Sequence, residues 1–103
     1  VAQLRARREP LQIAGGVQSP ITVRVEMPEV WDTVKAIVSP DTSARTLKVR
    51  ALEALYPTAA GADEFVLKFR GWEVLDESAS LADIGARNGS IFLLTYRRRR
   101  AVR

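Results

Sequence analysis

The chain has 103 residues, 47% of them apolar and 27% charged, with no His, no Cys and a formal net charge of +4. This is the length of one small domain with a packed core, and the balance of apolar and charged residues argues against wholesale disorder. The absence of His and Cys excludes disulfides, Cys/His zinc sites, thiol nucleophiles and histidine general bases, and no apolar run reaches the ~20 residues of a membrane-spanning helix. A cytoplasmic location is therefore the default expectation, and Val1 in place of Met reads as an excised or processed start.

The charge is uneven along the chain. Residues 1–19 carry +2, residues 20–96 hold eight basic against eleven acidic side chains, and residues 97–103 carry five arginines. The sequence pI near 10.1 is thus a property of the two ends, while the intervening domain is mildly acidic.

Residues 1–19 lack a sustained apolar period and contain Pro10 and the pair Gly15 and Gly16, so they read as a flexible leader with at most one short helical turn. From Ile21 the chain alternates, with Val23, Val25 and Met27 against Thr22, Arg24 and Glu26, the period of a strand with one buried face. After a turn at Pro28 and Glu29, Val34, Ala36 and Val38 alternate again and predict an antiparallel hairpin, with Trp31 covering its end. Pro40 closes that strand, and Asp41 or Thr42 is the expected cap of a helix over residues 43–56. In that helix Ala44, Leu47, Ala51 and Leu55 face the core, and Lys48, Arg50 and Glu53 face elsewhere.

A third strand follows over residues 64–70, with Phe65, Leu67 and Phe69 on one side and Val66, Lys68 and Arg70 on the other. Gly71 and Trp72 turn the chain into a short apolar piece at Val74 and Leu75, and residues 80–85 read as one tight helical turn. Asn88 and Gly89 turn into a last strand, in which Phe92, Leu94 and Tyr96 alternate with Ile91, Leu93 and Thr95. This order predicts an α+β domain over residues 20–97, a mixed four- to five-stranded sheet packed on one α-helix with its first and last strands parallel neighbours, followed by a basic tail at 98–103.

Phe69-Arg70-Gly71, Leu75-Asp76, Ser80-Leu81-Ala82-Asp83-Ile84-Gly85 and Gly89-Ser90 before a terminal strand resemble the ubiquitin superfamily and its β-grasp fold. The phrase LADIGARNGSIFLL is more similar to the YukD branch, bacterial ubiquitin-like proteins linked with type VII secretion, than to eukaryotic ubiquitin. Conjugated members of the superfamily end in Gly-Gly, a slim tail whose carboxylate can be adenylated. Here Arg97, Arg98, Arg99 and Arg100 stand at that place, which disfavours conjugation unless the end is trimmed.

The resemblance implies a non-enzymatic, cytoplasmic protein-binding domain, an accessory or adaptor of the YukD kind, with no cofactor and no metal. Its expected partner surface is the outer face of the third and last strands, with Val66, Lys68, Arg70, Trp72 and Leu93, and Ile91 beside them. The alternative is a bacterial modifier conjugated through a processed C-terminus, whose partners would be activating, conjugating and peptidase enzymes. The arginine run is read first as a solvated tail. Contact with nucleic acid or anionic membrane is its second use, and no aromatic residue interleaves the run to support base stacking.

Overall fold

The computed structural model describes residues 10–13, 19–59 and 61–97. Its strands are β1 (Leu11–Gln12), β2 (Ile21–Met27), β3 (Asp32–Val38), β4 (Phe65–Phe69), β5 (Trp72–Glu73) and β6 (Ile91–Tyr96), and its helices are α1 (Ala44–Leu55) and the single turn α2 (Leu81–Ile84). The strands form one six-stranded sheet in the order β1-β3-β2-β6-β4-β5, one strand more than the four or five expected.

β2 and β3 pair antiparallel from Ile21 opposite Val38 to Met27 opposite Asp32, so Val23, Val25, Met27, Val34, Ala36 and Val38 share one buried face, as their alternation predicts. β6 runs parallel to β2 at the centre of the sheet, with Val25 opposite Phe92, and antiparallel to β4, with Leu67 opposite Leu94. α1 lies across the buried face through Ala44, Leu47, Ala51, Leu52 and Leu55. Its cap is Ser43, one residue beyond the expected pair, whose hydroxyl accepts from Thr46 N at 3.1 Å.

Three sequence expectations change on folding. The leader does not remain apart, because Leu11 and Gln12 pair in parallel with Ala36 and Ile37 and add an edge strand; residues 1–9 and 14–18 lie outside the described residues. Trp31 does not cover the hairpin end: it sits at φ 53 with 90% of its surface exposed. Lys48 does not face solvent but is fully buried at 0% exposure.

The loop from β5 to α2 docks on the start of α1. Arg45 N donates to Glu77 O (2.8 Å), Ala44 N to Ala79 O (3.0 Å) and Leu81 N to Thr42 O (2.8 Å). These backbone bonds satisfy helix-end groups and bring the Glu77 carboxylate over the side of the helix that carries Lys48.

Candidate functional site: the outer face of the sheet

The face opposite α1 can be read as rows of neighbours in register. One row crosses Thr33, Glu26, Leu93, Lys68 and Glu73 on β3, β2, β6, β4 and β5. A second crosses Lys35, Arg24 and Ile91. Leu93 and Lys68 are half-buried direct neighbours, and Ile91 is 49% exposed.

Ile91 separates two shallow depressions. One, of 340 Å³, is lined by Thr22, Arg24, Lys35, Asn88 and Gly89. The other, of 630 Å³, is lined by Phe69, Arg70, Gly85, Arg87 and Ser90. Their charged residues are therefore all cationic, on a domain whose net charge is negative. Among the described residues none of Arg24, Lys35, Arg70 and Arg87 forms an ion pair with a described carboxylate. Cations thus surround Ile91, whereas Leu93 and Lys68 have Glu26 and Glu73 as their neighbours in the first row.

The five residues expected to form the surface do not form one patch. Lys68 and Leu93 do adjoin on the outer face. Val66 points the same way but is only 2% exposed, so it is structural rather than a contact residue. Arg97 Nε donates to Asp63 O at 3.0 Å and its Nη1 lies 3.7 Å from Glu73 Oε2. Arg97 is accordingly tied to the domain, whereas Arg98, Arg99 and Arg100 lie outside the described residues.

Trp72 pairs with Phe69 and so faces the α1 side of the sheet, away from Lys68. There it is 79% exposed beside Leu75, at 83%, on a groove of 330 Å³ whose floor includes Phe69, Val74 and Ile84. Arg70 stands between the two surfaces, in the turn joining β4 and β5, with its guanidinium 5.9 Å from the Phe69 ring centre. The turn has left-handed φ at both central residues, 57 at Arg70 and 87 at Gly71, the geometry of a type I′ hairpin.

Among the described residues the perturbed ionisations trace to neighbouring groups. A hydrogen bond from Arg45 lowers the Asp63 pKa, and reciprocally raises that of Arg45. The Ser78 hydroxyl lowers Asp76, and a hydrogen bond with Tyr56 raises Tyr96. Among the described residues no group of three or more acidic side chains is placed to hold a metal ion, and no helix is long and apolar enough to cross a membrane.

A mixed sheet with parallel central strands, an antiparallel hairpin at its start and one helix across it is a β-grasp, and its solved likenesses are ubiquitin-like. Ubiquitin from Caldiarchaeum subterraneum superposes with a TM-score of 0.66 at 15% identity, covering 78% of this chain and 96% of that one. The ubiquitin-like domain of an Arabidopsis thaliana protein gives 0.65 at 18% identity, covering 86% of this chain and 93% of that one. The corresponding domain of Plasmodium falciparum Dsk2 gives 0.64 at 19% identity, covering 76% and 99%. No protein-family model and no curated protein matches the sequence. At these identities the likeness is one of fold, and function rests on the surface.

Proposed function

We propose that this ubiquitin-like domain is a noncovalent protein-binding module that takes an acidic, aliphatic-bearing partner on the outer face of its sheet. The carrying observation is the adjacency of Leu93 and Lys68, continued by exposed Ile91 between depressions whose charged lining is entirely basic. The aliphatic side chains supply desolvation energy and the cations supply orientation and encounter rate. Lys68, Leu93 and Ile91 form the centre, Arg70, Arg24, Lys35 and Arg87 form a basic rim around Ile91, and Glu26 and Glu73 flank Leu93 and Lys68. The YukD-like phrase of the sequence supports a bacterial, cytoplasmic accessory or adaptor role linked with type VII secretion.

The test is affinity capture from source cells by the chain and by its Lys68→Glu/Leu93→Ala variant, each checked for unchanged thermal unfolding. Capture that is lost in the variant supports the reading, and capture that persists overturns the surface. Mass spectrometry of the captured material that found the chain joined through its terminal carboxylate to another protein would overturn the noncovalent role in favour of the modifier.

A further inference from the structure

The two depressions beside Ile91 hold cations that the fold itself does not need. Arg24 and Lys35 are direct neighbours in the antiparallel pairing of β2 and β3, and both are exposed on the outer face. Like charges set opposite each other on one face destabilise a sheet. The adjoining row shows the ordinary arrangement, with Lys68 opposite Glu73. Arg24 and Lys35 form no ion pair with a described carboxylate, and neither do Arg70 and Arg87 in the second depression. An anion placed between two such cations relieves their repulsion.

The neighbouring polar side chains present donors as well. Asn88 Oδ1 accepts from Thr22 N at 2.8 Å, which leaves the Asn88 Nδ2 group to the depression that both residues line. In the second depression Ser90 Oγ accepts from Arg87 N at 2.7 Å, so its own proton is left to donate. Each depression thus combines two cations with a neutral donor, and neither is lined by an acidic side chain.

A carboxylate would bring one charge and two oxygens to such a site. A phosphoryl monoester brings a charge of about −1.5 to −2 and three acceptor oxygens, which match two cations, and arginine meets it with two parallel bonds. A long polyanion fits less well. Glu26 and Glu73 lie in the adjoining row, and none of the exposed aromatic residues Trp31, Trp72 and Tyr96 lines either depression to stack on a base.

We infer that this end of the outer face binds a phosphorylated segment of a partner protein. A phosphoserine or phosphothreonine sits at Arg24 and Lys35, a second at Arg70 and Arg87, and an aliphatic side chain of the segment rests on Ile91 between them. The two cation pairs flank β6, so the phosphoryl groups stand two strand spacings, ~10 Å, apart, a span that three residues of extended chain cover. The inference rests on the outer face being the partner surface, and adds that phosphorylation of the partner governs the encounter.

The probe is a fluorescent peptide, Gly-pSer-Gly-Ile-pSer-Gly, titrated in anisotropy against the full chain beside counterparts with Asp or Ser in place of both phosphoserines. The phosphorylated peptide is expected to bind at least tenfold more tightly than the Asp peptide, and Arg24→Gln/Lys35→Gln should remove that preference. Lys35→Glu, which sets opposite charges side by side, should raise the thermal midpoint and abolish binding of the phosphorylated peptide.

Phosphorylated peptide that binds no more tightly than its Asp counterpart, or a preference unchanged in Arg24→Gln/Lys35→Gln, overturns the inference. A thermal midpoint that falls in Lys35→Glu does so too, since the cation then serves the fold. Tighter binding to vesicles containing phosphatidylinositol phosphate, or to a single-stranded oligonucleotide, than to the phosphorylated peptide would assign the cations to a membrane or to nucleic acid instead. Absence of the phosphoryl preference beside capture that is lost in Lys68→Glu/Leu93→Ala strikes the phosphoryl group and leaves the outer-face reading, whereas capture that persists in that variant strikes the reading itself.

Discussion

The Lys48 ammonium, at 0% exposure, donates to Glu77 Oε2 at 2.7 Å and to Phe65 O at 3.1 Å, joining α1, the loop after β5 and the start of β4 at one buried point. Each bond ties α1 to an element distant from it in the chain. Removing one partner of such a pair costs about 3–5 kcal/mol, whereas replacing both partners by apolar side chains of similar volume can be close to neutral. Lys48→Ala should therefore lower the urea midpoint severely, and Lys48→Met less, by the packing it restores. Equal losses in the two variants would show that the ion pair, not the volume, is what the site needs.

The β4–β5 turn separates backbone strain from packing. A Cβ on Gly71 would meet nothing within 4 Å, so Gly71→Ala tests the left-handed φ of 87 alone. The expected loss is about 1–2 kcal/mol. Conversely, Arg70 occupies φ 57 without the local hydrogen-bonding of an Asn. Arg70→Asn should raise the thermal midpoint, because a type I′ turn prefers Asn followed by Gly.

Val66 and Lys68 point to the same side of β4 and should respond oppositely to substitution. Val66, at 2% exposure, should lose about 1–3 kcal/mol of stability on change to Ala. Lys68→Glu should leave unfolding within about 0.5 kcal/mol of the unsubstituted chain. Arg97→Ala, which removes the bridge from Asp63 O to Glu73, should accelerate exchange of the amides at the β4–β6 end.

The acid response follows from Asp63 and Asp76. Arg45 holds the first below the ordinary carboxylate value, and the Ser78 hydroxyl holds the second there. A depressed pKa in the folded chain means the stabilisation is present above the unfolded value of about 3.9 and is lost as pH falls through the folded value. Carboxyl NMR should find both midpoints low, and Arg45→Gln should return Asp63 toward the ordinary value without moving Asp76. A common shift of both would contradict the local origin.

Much of the fold was legible because alternation is a local property. Val23, Val25, Met27, Phe65, Leu67, Phe92 and Leu94 announce their buried side through their neighbours in the chain. Residues 11–13 announce nothing, since three residues are too few to show a period. Trp72 was placed on the wrong side because its direction depends on how the type I′ turn sets it opposite Phe69. The outward placement of Lys68 beside Leu93 was legible, since strand phase locates both, but the gathering of Arg24, Lys35, Arg70 and Arg87 from four separate segments was not.

Local chemistry alone determined where β2, β3, β4, β6 and α1 lie and which face of each is turned to the core, and that histidine and cysteine chemistry are absent, because these follow from residue type and spacing within a few positions. Only tertiary structure decided that Lys48 meets Glu77, that Arg97 reaches Asp63 and Glu73 and that residues 11–13 close the edge of β3. Those outcomes depend on contacts between distant parts of the chain, where burial and pairing are set by what another element brings.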